Sequence, residues 1–239
     1  MASAFENRLR RTIEMAGTDG QTGPVPVTAI PSGSGLITGI APSGTLAPNG
    51  ALTLGTALAA TFSNILLYLP AGAVASGAPG LYRVAMSSTT AGVVYDAQTG
   101  ALIAGTGVAY TGVTAEVEVA QSKVSWGELV SGRPVRLKVQ GICNNTAGAK
   151  TYRARLGSVS GTQINSAGPT SNKGFAPETC IQSVSSGIVL GGASGVTGGT
   201  NSAEIISVTD GQDVIVYHTI QLSTATDYAA IVSITQTTE

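Results

Sequence analysis

From residue 51 onward, apolar and polar positions alternate in short runs. In "TAEVEVAQ", Val117 and Val119 point one way and Glu116 and Glu118 the other. In "PVRLKVQGIC", Val135, Leu137 and Val139 alternate with Arg136, Lys138 and Gln140. Period two is the signature of a strand with one face buried. "KTYRARLGSV", "GIVLGG", "AEIISVTDGQDVIVYHTIQL" and "DYAAIVSITQ" continue the series, with Asp210–Gly211 as a hairpin-type turn signal. Upstream, "ALTLGTALAATFSNILLYLP", "LYRVAMSS" and "AGVVYDAQTGALIAG" predict further strands divided by glycine turns. Closely spaced strands without intervening helices predict an all-β fold, an antiparallel sandwich, jelly roll or barrel. No fixed-period repeat points to a solenoid or propeller.

The first fifty residues follow another pattern. Phe5, Leu9 and Ile13 recur every four residues, with Glu6, Arg8, Arg10, Arg11 and Glu14 on the other faces. Ser3 and Glu6 fit a capping box, and Gly17 is a stop signal. The spacing predicts a short helix over 1–17, too short to be stable alone. It therefore docks, either on its own domain or as an anchor whose stripe Phe5, Leu9 and Ile13 binds a partner. Residues 18–50 read as an extended linker, since Pro24, Pro26, Pro31, Pro42 and Pro48 are five of the ten prolines. A tethered helix favours the anchor. Residues 51–239 are then the β body, open to a split into two β subdomains near residue 112. Residues 157–203, with "GPTSNKG" and "LGGASGVTGGTNS", read as surface loops suited to recognition or connection.

Composition narrows the use of this body. Charged residues are 10% and hydrophobic ones 43%. Such a patterned chain folds rather than staying disordered. The net charge of −1 argues against nucleic-acid or anionic-membrane binding, which favours a basic excess. No apolar run reaches the ~20 residues of a membrane-spanning helix. The polar, charged start does not resemble a secretory leader, so synthesis in a cytoplasm is expected. Cys143 and Cys180 are the only cysteines and read as two free thiols, with one disulfide as the other option.

Groups able to carry chemistry are sparse. His218 is the only histidine and falls mid-strand, where a packed or hydrogen-bonded ring is expected. No G-x-S-x-G elbow or phosphate-binding loop is present. One histidine and two distant cysteines do not suggest a metal site, and no cofactor is expected. Glu116 and Glu118 share a strand face that reads as solvated, although paired carboxylates can cleave glycosides. One basic constellation stands out. If the strands flanking "NNTAGA" pair as a hairpin, Arg136, Lys138, Arg153 and Arg155 share a face and Lys150 lies near the turn. That would be an edge-protecting face, or a patch meeting an acidic subunit or an anionic glycan.

The stretch "LYLPAGAVASGAPGLYRVAMSSTTAGVVYD" resembles a segment of tailed-bacteriophage virion proteins. It carries Leu69–Pro70–Ala71, Gly80–Leu81–Tyr82 and the run Val84 to Tyr95. "NNTAGAKTYRARLG" and "HTIQLSTATDYAAIVSI" are similar to hairpins of the same proteins, and the likeness spans about 45–236. Tyr68, Tyr82 and Tyr95 read as packing or interface anchors, with ligand contact as their other use. The resemblance implies a β-sandwich or jelly-roll head, often trimeric, mounted on a particle. The expected function is a non-enzymatic virion component displayed outside the particle as a fibre, spike or capsid decoration. Its expected partners are other virion proteins of capsid, collar or tail and its own copies. The alternatives are an adhesin for a host surface glycan or protein and, less favoured, a tailspike-like depolymerase.

Overall fold

The run Asn64–Leu69 lacks polar alternation because its strand is buried on both faces. Ile65, Leu67 and Leu69 enter one hydrophobic core, while Leu66 and Tyr68 turn to another. A strand between two apolar layers has no face to leave polar. The computed structural model describes residues 37–130, 132–169, 174–193 and 204–238, together with the pair Arg11–Thr12.

The early strands are β1 (Arg11–Thr12), β2 (Thr38–Ile40), β3 (Gly44–Leu46), β4 (Ala51–Leu54), β5 (Asn64–Leu69), β6 (Gly80–Met86), β7 (Ala91–Tyr95) and β8 (Ala109–Tyr110). The later ones are β9 (Val117–Val124), β10 (Val135–Cys143), β11 (Lys150–Leu156), β12 (Thr162–Ala167), β13 (Glu178–Ser185) and β14 (Ile188–Ala193). β15 (Glu204–Ser207), β16 (Val214–Leu222) and β17 (Ala229–Thr238) complete the series. A short helix, α1 (Trp126–Leu129), follows β9. The described chain is thus all-β, with large antiparallel-rich sheets.

One large sheet runs in the order β15, β14, β13, β10, β17, β2, β5, β6, β7, β4, β3, β8, with β1 also on β17. Its neighbours are antiparallel except β2 and β5, which are parallel. A second sheet runs β12, β11, β16, β9 and packs over the C-terminal half of the first. Between them lie Val135, Leu137 and Val139 of β10, Ile181 of β13 and Ile231 of β17. From the other side come Val119 of β9, Tyr152 and Ala154 of β11, and Val216 and Ile220 of β16. Each buried aliphatic side chain of this kind contributes about 1.5–3 kcal/mol. The pairing of two antiparallel-rich sheets over one core is consistent with a β-sandwich.

The second core lies on the opposite face of the large sheet, where Leu46, Leu52, Ile65, Leu67, Val84 and Val94 meet Ala230 of β17 and Tyr228 just before it. β17 thus serves both cores, with Ala229 and Ile231 on the sandwich side. Residues 37–50, expected as part of a linker, lie within the sheet, and Ile37, Ile40, Ala41 and Leu46 are buried. Gly39 allows this insertion, because a Cβ there would strike the Ala229 carbonyl of β17. The expected helix over 1–17, with Phe5, Leu9 and Ile13, lies outside the described residues apart from Arg11–Thr12. That pair is extended, not helical, opposite Gln236 and Thr235.

Candidate functional site

The basic hairpin does not form. β10 pairs with β17 and β13 in the large sheet, whereas β11 pairs with β16 and β12 in the small one. The "NNTAGA" segment crosses between sheets instead of turning within one. Arg136 pairs with Glu178 across β10 and β13 at 2.9 Å, and Lys138 is exposed opposite the same Glu178 in register. Arg153 and Arg155 do share a face of β11, on the other sheet. The five basic residues therefore form no common patch.

Both β11 arginines converge on Glu116, which precedes β9. Arg155 Nε donates to Glu116 Oε1 at 2.7 Å, and Arg153 Nη1 to Oε2 at 3.0 Å. Thr219 Oγ1 of the intervening β16 donates to Oε1 at 2.5 Å. Burial pushes the Glu116 carboxyl up, but the hydrogen bonds and the two guanidinium charges outweigh it, so its pKa is lowered. Glu116 is thus a clamp across three strands, not a solvated acid.

Lys150 is the larger departure from expectation. It stands in phase with Tyr152, Ala154 and Leu156, so strand alternation carries it inward, and it is 1% exposed. Its ammonium lies 3.3 Å from Asp227 Oδ2 and donates to Thr146 Oγ1 at 2.7 Å and Gly148 O at 2.9 Å. Thr146 Oγ1 in turn donates to Asp227 Oδ1 at 2.6 Å. Asn144 Oδ1 accepts the Tyr228 N–H at 3.0 Å, and the Tyr228 carbonyl accepts the Asn144 N–H at 3.1 Å. These bonds stitch the 144–150 crossover to the 224–228 turn. A Cβ on Gly148 would collide with the Asp227 carboxylate. Gly148→Ala is therefore expected to destabilise the fold by about 1–3 kcal/mol in urea titration, the usual effect of overpacking.

His218 is fully buried in β16, as its mid-strand position leads one to expect. Its Nδ1 is 2.7 Å from Tyr152 Oη and its Nε2 is 2.7 Å from Ser122 Oγ. A neutral imidazole suits both hydroxyls, donating at one nitrogen and accepting at the other. Burial lowers its pKa to about 3. Serine, histidine and tyrosine here are sealed within the sandwich core and hold the two β16 neighbours, β9 and β11, in register. Cys143 and Cys180 carry no disulfide.

The solvent-facing feature with converging polar and apolar groups is a cleft of about 510 Å³ where β5 ends and β6 begins, beside the start of β9. Tyr68 and Leu81, directly opposite in register, line it together with Ala97. Glu116 and Glu118 line it as well. Glu118 is held by Gln121, whose Nε2 donates to Oε1 at 2.8 Å. Burial raises the Glu118 pKa, with the Gln121 bond opposing. Alternation along "TAEVEVAQ" already places these two acids on one face. It carries no sign that Tyr68, some fifty residues earlier, lines the same cleft. A second hollow of about 560 Å³ lies beside the start of β16, but its acid, Asp213, is committed to Lys123 at 2.6 Å and to the Trp126 N–H at 2.9 Å.

Among the described residues, no group of three or more His, Cys, Asp or Glu is placed to hold a metal ion, and no helix is long and apolar enough to cross a membrane. No known protein family, curated protein or solved structure matches the chain.

Proposed function

We propose that the chain is a non-enzymatic structural component of a tailed-phage virion, displayed outside the particle as a fibre, spike or decoration protein. One observation carries this reading. The two later segments that resemble phage virion proteins, around "NNTAGAKTYRARLG" and "HTIQLSTATDYAAIVSI", meet in space. Lys150 reaches Asp227, Asn144 exchanges hydrogen bonds with Tyr228, and Ala154 lies opposite His218. Their distinctive residues close a sandwich, which suits a rigid display scaffold. The N-terminal segment is the proposed attachment element and the body is the oligomerising, outward-facing part.

Deleting residues 1–20 is expected to remove the protein from assembled particles while the purified body keeps its β circular dichroism. Truncated protein recovered in particles would sink the attachment role. Copy number then separates positions: hundreds per particle mean shell decoration, and tens or fewer mean a tail or collar appendage. An adhesin is the second reading, favoured by the cleft that Tyr68 and Glu118 line.

A further inference from the structure

The geometry points to the cleft at Tyr68, Leu81 and Glu118 as a binding site for a neutral saccharide. The proposal stands on the cleft itself and does not require the virion assignment.

The lining of the cleft mixes two kinds of chemistry. Tyr68, Leu81 and Ala97 offer apolar surface. Glu116 and Glu118 bring carboxylates. A sugar ring has the same division, with C–H groups on its faces and hydroxyl donors around its edge. It can lay a face on the tyrosine and leucine while its edge reaches the carboxylates. Glu118 suits the acceptor role. It is half-buried, Gln121 fixes its Oε1, and its Oε2 takes no protein hydrogen bond among the described residues. A carboxylate oxygen held by a neighbour is pre-organised for a ligand hydroxyl, and hydrogen bonds to charged acceptors are the stronger kind. The cleft volume falls within the ~300–1,000 Å³ range of ligand sites.

Charge selects among saccharides. Asp96 also lines the cleft, so three carboxylates border it. The two nearby guanidinium groups, Arg153 and Arg155, both pair with Glu116 and offset two of the three charges. An anionic sugar would meet the remaining net negative charge, whereas a neutral one would not. A simple cation would satisfy the acids and leave the tyrosine wall unmatched.

Full-length protein should be tested on an immobilised panel of neutral oligosaccharides built from glucose, galactose and N-acetylglucosamine, alongside sialylated and sulfated ones. The best binder is then titrated by calorimetry against wild type, Glu118→Gln, Tyr68→Ala and the distant exposed control Glu204→Gln. The expected result is binding of neutral members, weakened about tenfold or more by Glu118→Gln and by Tyr68→Ala, and unchanged by Glu204→Gln. Glu118→Gln preserves shape, so its result decides the matter if Tyr68→Ala disturbs the fold. Three results would overturn the proposal: no panel member bound at millimolar concentration, anionic members bound better, or Glu118→Gln binding like wild type. None of them bears on display on a particle, which particle incorporation tests separately.

Discussion

Replacing Asp227 by alanine is expected to destabilise the protein by about 3–5 kcal/mol, the usual result of stranding one charge of a buried pair. Whole domains are stable by only about 5–15 kcal/mol, so the variant should unfold at far lower urea. Lys150 and Asp227 are both 1% exposed, and the ammonium cannot reach water without opening the 144–150 crossover. Thr146 loses its acceptor in the same step, since its hydroxyl donates to Asp227 Oδ1. The double variant Lys150→Met/Asp227→Leu should recover much of the loss, because apolar side chains remove the desolvation cost along with the attraction. Urea titrations followed by circular dichroism on wild type, Lys150→Met, Asp227→Leu and the double variant form a complete cycle. A loss below about 1 kcal/mol in Asp227→Ala would place the pair in the range of solvent-screened ion pairs and refute the lock.

Acid is the second large lever, and it acts through His218. Burial holds its pKa near 3 in the fold, against 6.5 for an ordinary histidine. Above pH 6.5 the ring is neutral in both states and contributes no pH dependence. Below 6.5 the unfolded chain takes up a proton that the folded chain refuses. Stability should then fall by about 1.4 kcal/mol per pH unit, continuing until the folded pKa is reached near 3. Glu116 adds to this at lower pH. Its folded pKa is depressed, so its contribution is present above the usual carboxylate range and is lost as pH falls through the folded value. The two are separable, since between pH 6.5 and about 5 the histidine acts and Glu116 does not, while Glu118, whose pKa burial raises, acts in the opposite sense in wild type and variant alike. His218→Gln should flatten the stability profile in that window and leave the carboxylate loss below it. Parallel slopes for wild type and variant between pH 6.5 and 5 would rule out a folded histidine that resists protonation.

Much of the strand content was legible in the chain because pleating is local. Val135, Leu137 and Val139 point inward, as their alternation predicts. The alternation of β9 also holds through Val117, Glu118 and Val119, then breaks at a bulge that buries Val119 and Ala120 together. Alternation likewise placed Lys150 inward with Tyr152 and Ala154, although the presence of a charge made it read as a turn residue. The hairpin around "NNTAGA" failed for a different reason. A polar, glycine-containing connection turns a strand back beside itself or carries it across to a second sheet with equal ease. Nothing within those six residues distinguishes the two. Residues 37–50 misled in a related way, since glycine and proline suit a linker but also suit a strand threaded where a Cβ would collide.

The sequence by itself determined the class of the fold, the inward positions of most strands, the burial of His218 and the shortage of reactive groups. Each follows from side-chain chemistry and the two-residue period of an extended backbone, which act over a few residues. Only the tertiary structure decided that Asp227 neutralises Lys150, that Glu116 clamps Arg153 and Arg155, and that Tyr68 and Glu118 line one cleft. Those meetings join segments that are 37 to 77 residues apart, by 227 − 150 for the longest and 153 − 116 for the shortest. They depend on which strands share a sheet and which sheets face each other. That choice is made by the packing of two whole cores, not by any one segment.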